Sequence, residues 1–407
     1  MDVGVRALRP TGKQGKPLPL QTKALPLSDF FSNVPRDTIA DIETVTQFLE
    51  KNHHVKSYIV GGAVRDTLLG RKSTDFDIEC YGISPENFDI AMQELGARGV
   101  GKSFFVYKYH NLDIALPRIE RKTGFGHRGF SVSLATGERE ASRRRDFTVN
   151  ALMYDMARGE ILDFWGGLPD LERKLLRVVD PDSFMEDSLR VLRAMQFSAR
   201  FGFRVEEESC RLCRDMALDD LPKERIFIEF EKMFRGGSLH YGLYYLFALG
   251  IADKLWDMKI DRGSFIVLGK MLMRCQRYFV EALRPYYFLY IAAPCLGMER
   301  KRILDRMGAP GIYYKKIADT PALPAEIDCA FVARTAKKEG IEAFTGNYHP
   351  DIRRLAQKLG VWDKPFDPGI KPALLMAEGF EGRALGEELE RRREKRIESL
   401  NETCSEL

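Results

Sequence analysis

Between residues 39 and 52 apolar side chains recur at the spacing of an amphipathic helix. The run SYIVGGAVRDTLLG, residues 57–70, reads as a short strand, a Gly-Gly turn and a helix ending at Gly70. TDFDIECYG, residues 74–82, alternates apolar and polar positions and predicts a second strand with two different faces. FFVYKY and LDIALPR predict two more strands, separated by the turn residues His110 and Asn111. From Leu171 onward strand signals fade and helical periodicity takes over. The pattern predicts an α+β fold, a small mixed α/β head followed by an all-α neck, body and tail. It shows no repeat at a fixed period.

These shifts divide the chain into a basic N-terminal extension (1–38), a head (39–170), a helical neck (171–237) and a helical body and tail (238–407). Residues 1–27, rich in Pro, Gly and Lys, read as a flexible arm. The terminal GEELERRREKRIE predicts a solvated helix pairing Glu387 with Arg391 and Glu388 with Arg392. Composition adds limits. The chain has 407 residues, 44% hydrophobic and 30% charged, as in an ordinary globular protein of two to four domains. No apolar run is long enough for a membrane helix, and the first 25 residues hold five cations against Asp2 with no apolar core, so no secretory signal is expected. Seven cysteines do not make a disulfide scaffold and suggest a reducing, cytoplasmic setting. The net charge of +4 says little about partners. Locally, residues 118–145 hold eight Arg and Lys against three Glu.

Asp75 and Asp77 flank Phe76, so on a strand both carboxylates face one side, with Glu79 following on the same face. Converging carboxylates favour a cation, and Mg²⁺ takes hard oxygen ligands from one or two carboxylates and a substrate's phosphates. A solvated edge strand is the alternative. Upstream, Gly61 and Gly62 permit close approach of backbone to an anion, and Arg65 adds charge. The alternative there is a tight turn with an Arg65–Asp66 salt bridge. Asp113, on a later strand, is either a third carboxylate that shares a metal or takes a proton, or a solvated strand residue.

Five stretches occur in order: VGGAVRDTLLGRKSTDFDIE, RRDFTVNALMYD, FWGGLPDLERKLLRVVD, EDSLRVLRAMQFSARFGF and ERIFIEFEKMF. Across residues 57–235 the chain resembles the class II branch of the DNA polymerase β-like nucleotidyltransferases. That branch comprises the bacterial and eukaryotic CCA-adding enzymes and the bacterial poly(A) polymerases. The resemblance implies that Gly61, Gly62 and Arg65 hold the nucleotide triphosphate and that Asp75 and Asp77 bind catalytic Mg²⁺. It places Arg145 and Asp146 at the ribose, and Asp187 and Arg190 at the base edge of CTP or ATP. Asp187 and Arg190 are three apart on a predicted helix and so share a face, and Arg193 follows towards phosphate. Leu189, Leu192, Met195 and Ala199 make an apolar stripe on the same helix.

Two features depart from the family. Gln196 stands where many relatives carry Arg, and GFGHRGF, residues 124–130, replaces an Asp-Gly-Arg-Arg loop. The implied activity is template-independent addition of C and A from CTP and ATP to the 3′ end of tRNA, with Mg²⁺ as cofactor and no obligate protein partner. The alternatives are CC or A addition alone, poly(A) synthesis, and an inactive RNA-binding relative. The basic-aromatic segment of the poly(A) polymerases is missing after the Gly-Gly motif, and the C-terminal half has no HD-type phosphohydrolase pattern. Cys210 and Cys213 lack a second pair and read as buried helix cysteines. His53 and His54 make no metal spacing and read as surface residues. HYGLYYLFALGI and RYFVEALRPYYFLYI read as helical core, some of whose Arg and Tyr can face RNA.

Overall fold

The computed structural model describes residues 18–101, 105–122 and 130–401. The chain divides into two compact units, Met1–Asp187 and Ser188–Leu407.

The first unit is built on an eight-stranded sheet. Its strands are β1 (Gln21–Ala24), β2 (Lys56–Val60), β3 (Phe76–Tyr81), β4 (Arg98–Gly101), β5 (Val106–Tyr109), β6 (Leu112–Ala115), β9 (Met153–Asp155) and β10 (Glu160–Asp163). Their order across the sheet is β1-β10-β9-β2-β3-β6-β5-β4. Neighbours run antiparallel except β3 and β6, which are parallel. A separate hairpin pairs β7 (Arg118–Lys122) with β8 (Phe130–Leu134). Alternation along β3 explains the layering. Phe76, Ile78 and Cys80 enter the core, where helix α1 (Arg36–His53) brings Ile42, Val45 and Leu49. A shorter helix, α2 (Gly62–Leu68), follows β2, with Ala63 and Val64 in the same core. Helix α3 (Pro85–Glu94), capped by Ser84, adds Phe88, Ala91 and Met92. Asp77, Glu79 and Tyr81 therefore point to the other face.

Part of the segment read as an N-terminal extension is a piece of this unit. Residues 21–24 pair with Glu160–Asp163, and Phe30 is fully buried with its ring stacked on Tyr154 at 3.8 Å. The strand carries no apolar alternation because all four residues are exposed. Residues 1–17 of the arm and the stretch 123–129, which holds all but the last residue of GFGHRGF, lie outside the described residues.

The second unit is helical. Its first helix, α5 (Leu189–Phe201), buries the stripe Leu189, Leu192, Met195 and Ala199 and packs on α7 (Lys223–Phe234) and α8 (Leu239–Ala248). Gly242 allows the close approach of α8, since a Cβ there would stand 2.6 Å from Met233 and 2.9 Å from Ala199. Between them, α6 (Glu207–Asp215) carries Cys210 and Cys213 as free thiols. The aromatic stretches are largely core. Tyr245 accepts from the Val205 N–H at 2.7 Å, and Tyr287 donates to Asn347 Oδ1 at 2.6 Å. In α9 (Arg262–Cys275) only Leu268 and Leu272 are buried. The terminal helix α10 (Gly382–Glu398) forms the Glu388–Arg392 pair but not Glu387–Arg391. Arg391 pairs with Glu388 three residues back, and Glu387 accepts from Arg383 instead. Each such pair is worth only a few tenths of a kcal/mol on a helix surface, so neighbouring partners exchange readily.

Candidate active site

Register brings the acids together. Asp77 on β3 and Asp113 on β6 are direct partners in the parallel pair. Asp75 immediately precedes β3 and is exposed. Asp77 keeps solvent access, yet protein atoms crowd its carboxyl. That crowding, reinforced by Asp113, Glu79 and Asp75 against the pull of Arg145, pushes its pKa above the usual carboxylate range. Asp113 is already partnered, since Lys108 on β5 sits opposite it with Nζ 2.8 Å from Oδ1. Among the described residues no three His, Cys, Asp or Glu side chains form a metal cage. The oxygen donors Asp75 and Asp77 are of the kind that hard divalent cations take alongside phosphates and water.

Glu79 shares the strand face of Asp77 but has another task. It is 4% exposed and accepts from Arg145 at 2.7 Å, Arg144 at 3.3 Å and the Tyr81 hydroxyl at 2.9 Å. Burial opposes its ionisation, but Arg145, Arg144 and Tyr81 outweigh it and hold the carboxyl below its ordinary range. Arg145 lies across the Gly61 turn. A Cβ on Gly61 would stand 2.9 Å from its Nη1, and Gly61 has φ +73°. Side-chain-free backbone with positive φ is thus required there.

Arg65 is turned inward. It is 4% exposed, donates from Nε to Asp66 at 2.9 Å and also bonds Asn150 Oδ1. The tight turn with an Arg–Asp bridge is what this segment forms. Asn150 donates in turn to Asp146 Oδ1 at 2.8 Å, which also accepts the Phe147 N–H at 2.8 Å. Asp146 is buried and organises the RRDFTVN loop. Below that loop, Asp163 is 1% exposed and accepts the backbone N–H groups of Trp165, Gly166, Gly167 and Leu168. This fixes the start of α4 (Gly167–Glu172), where a Cβ on Gly167 would fall 2.3 Å from the Thr148 carbonyl.

With this geometry in hand, two family models match the chain. Residues 57–177 match the poly A polymerase head domain, and residues 202–256 match a probable RNA- and SrmB-binding site of polymerase A. The head segment is thus similar to that polymerase family over residues 57–177. Over 190 residues the chain is 42% identical to the multifunctional CCA protein of Xylella fastidiosa, a stretch that is 44% of each chain. It is 43% identical over 189 residues to the multifunctional CCA protein of Stenotrophomonas maltophilia, covering 44% of this chain and 45% of the relative. The alignments thus span less than half the length of these relatives. The Thermotoga maritima CCA-adding enzyme complexed with tRNA shares the fold, with a TM-score of 0.66 at 22% identity over 92% of this chain and 95% of that one. A mixed α/β head followed by helical domains is therefore the architecture this chain shares with that enzyme.

Asp187 ends the first unit and lies outside any helix, whereas Arg190 and Arg193 stand in the first turns of α5, so the expected single helix does not carry all three. The Arg193 guanidinium lies 5.0 Å from the Phe197 ring centroid. Gln196 is 1% exposed, with Oε1 3.5 Å from Arg200, so this departure from the family pattern faces the interior. In the second unit a cavity of about 450 Å³ is lined by Arg204, His240, Tyr241, Tyr244, Phe265 and Lys270 among others. Sequence reasoning missed Lys108, Asn150 and Asp163. Asn150 lies four residues beyond Asp146 within a motif already singled out, which was a usable signal. The partners of Lys108 and Asp163 are set by strand register and turn geometry, which leave no local mark. No described helix is long and apolar enough to cross a membrane.

Proposed function

We propose that this protein is a cytoplasmic tRNA nucleotidyltransferase that adds C and A from CTP and ATP to the 3′ end of tRNA and releases pyrophosphate. The observation that carries the reading is the register pair Asp77–Asp113, with Asp75 beside it and Arg145 held on the same sheet face by Glu79. The relatives named multifunctional CCA protein, and a CCA-adding enzyme of the same fold complexed with tRNA, support the choice of tRNA over poly(A) synthesis.

Asp75 and Asp77 would hold Mg²⁺, which when bound activates the RNA 3′-hydroxyl and stabilises the pyrophosphate leaving group. The chain's own residues do the rest. Gly61 and Gly62 admit the triphosphate close to the backbone. Arg145 faces the ribose, in a frame set by Asp146, Asn150 and Arg65. By the resemblance, Asp187 supplies an acceptor and Arg190 a donor fork for the base edge, a combination that suits cytosine or adenine. Arg193 reaches phosphate. Asp113, paired with Lys108, acts as the base only if the incoming 3′ end displaces the lysine. Arg204, Tyr241, Tyr244 and Lys270 offer cations and rings to the RNA.

The test is incubation of purified protein with tRNA transcripts lacking the last three, two or one nucleotides, with CTP and ATP supplied singly and together. Stepwise extension to CCA is expected. A protein that never incorporates A on a CC-ended tRNA is a CC-adding enzyme, and one that extends any RNA with A alone is a poly(A) polymerase.

A further inference from the structure

Resting on that nucleotidyltransferase reading, we infer that Glu79 is the positioning residue that ties the ribose-facing Arg145 to the metal-binding acids, and so sets the preference for ribonucleotides over deoxyribonucleotides.

Glu79 follows Asp77 by two positions on one strand, so their side chains leave the same face about 6.6 Å apart along β3. Each Glu79 oxygen is engaged. Oε1 takes the Nη2 groups of Arg145 at 2.7 Å and Arg144 at 3.3 Å, and Oε2 takes the Tyr81 hydroxyl at 2.9 Å. Tyr81 is itself two positions further along the strand and 8% exposed. The strand thus carries a ruler: Asp77 at the acids, Glu79 on the guanidinium, Tyr81 fixing the carboxylate's other oxygen. The opposite edge of the guanidinium meets the Gly61 turn. Arg145 is held by Glu79, and the missing side chain at Gly61 leaves room for its guanidinium, so it has little reason to follow a sugar that lacks its 2′-hydroxyl. Discrimination of this kind needs a donor that stays put when its partner is missing, because the penalty comes from leaving that donor unpaired. Glu79 does not touch the nucleotide and acts through Arg145.

The experiment compares kcat/KM for CTP and dCTP on a tRNA lacking its last three nucleotides, for the wild type, Glu79→Gln and Tyr81→Phe. Glu79→Gln keeps the shape and removes the charge, so the preference for CTP should fall at least about tenfold, the loss expected when a charge-assisted bond is removed. Tyr81→Phe deletes one hydroxyl, is expected to fold even if Glu79→Gln does not, and should lower the preference by roughly threefold. Both effects should sit in the CTP to dCTP ratio, with KM for tRNA unchanged, which a general loss of packing would not produce. An unchanged ratio in a folded Glu79→Gln, or in Tyr81→Phe alone if the other fails to fold, overturns the clamp. A wild type that adds neither nucleotide overturns the nucleotidyltransferase reading, and the clamp with it.

Discussion

Replacing Asp163 by Ala should destabilise the head far more than a surface substitution would. The carboxylate is 1% exposed and accepts four backbone N–H groups, three on Oδ1 from Trp165, Gly166 and Gly167 and one on Oδ2 from Leu168. Four charge-assisted bonds counted separately would total about 6–12 kcal/mol. That sum is too large, because they share one carboxylate and the opened turn can relax and admit water. Loss of an ordinary helix cap costs only ~1–2 kcal/mol. Four donors on one buried group place the cost between these, at about 4 kcal/mol. For a unit of this size each kcal/mol moves the melting temperature by roughly 2–4 °C, so a fall of about 8–16 °C is expected. Asp163→Asn keeps an acceptor for the three Oδ1 bonds but sets an amide donor against the Leu168 N–H, and should lose about half as much. Thermal melts followed by far-ultraviolet circular dichroism, with hydrogen exchange read at Gly166 to Leu168, measure both. A loss of less than ~3 °C for the alanine variant, or an asparagine variant as unstable as the alanine one, would show that the carboxylate is not the keystone of this turn.

Three further outcomes follow from the site. Gly61→Ala forces a side chain at φ +73° to within 2.9 Å of Arg145, so CTP addition should drop by more than ~tenfold in a folded protein, and an unchanged rate would free Arg145 from any role at that turn. Asp77→Ala should abolish addition while tRNA binding survives in a gel-shift assay, since RNA affinity comes from dispersed basic groups; a rate above about a tenth of wild type would count against the metal assignment. Arg190→Ala should blur the choice among CTP, ATP, UTP and GTP by roughly 1–3 kcal/mol of discrimination; a uniform loss of rate with preference intact would move Arg190 to the phosphates.

Much of the head was legible because its signals are local. The β2 strand, the Gly61 turn and the strands β3, β5 and β6 each carry alternation or turn residues where the structure has them. The spacing of Asp75 and Asp77 suggests one shared strand face, yet Asp75 lies just before β3, and the pairing of Asp77 with Asp113 depends on a parallel register that joins residues far apart in sequence. Arg65 shows the limit most plainly. A cation after a Gly-Gly turn suggests phosphate, yet the fold turns it to Asp66 and Asn150, because Asn150 arrives from a distant loop. Glu79 lay on the predicted face, but its role as counterion depends on arginines 65 and 66 residues away. The edge strand β1 was invisible for a simpler reason: a strand exposed on both faces has no apolar pattern to read.

That edge strand also governs how the protein meets copies of itself. The sheet has two rims, and each is blunted in its own way. At one rim the register slips between Gly99 and Gly101, which spoils a straight template for pairing. At the other, polar Gln21–Ala24 covers Glu160–Asp163, and the seam is locked by the Leu25 N–H to Gly159 at 2.8 Å and by the Tyr154 hydroxyl to the Leu25 carbonyl at 2.8 Å. Expression of a chain trimmed past Ala24 would uncover a row of unpaired amides beside Ile161 and Leu162, both now buried. A short, polar, exposed strand at 21–24 is a poorer template for strand pairing than the apolar edge it covers.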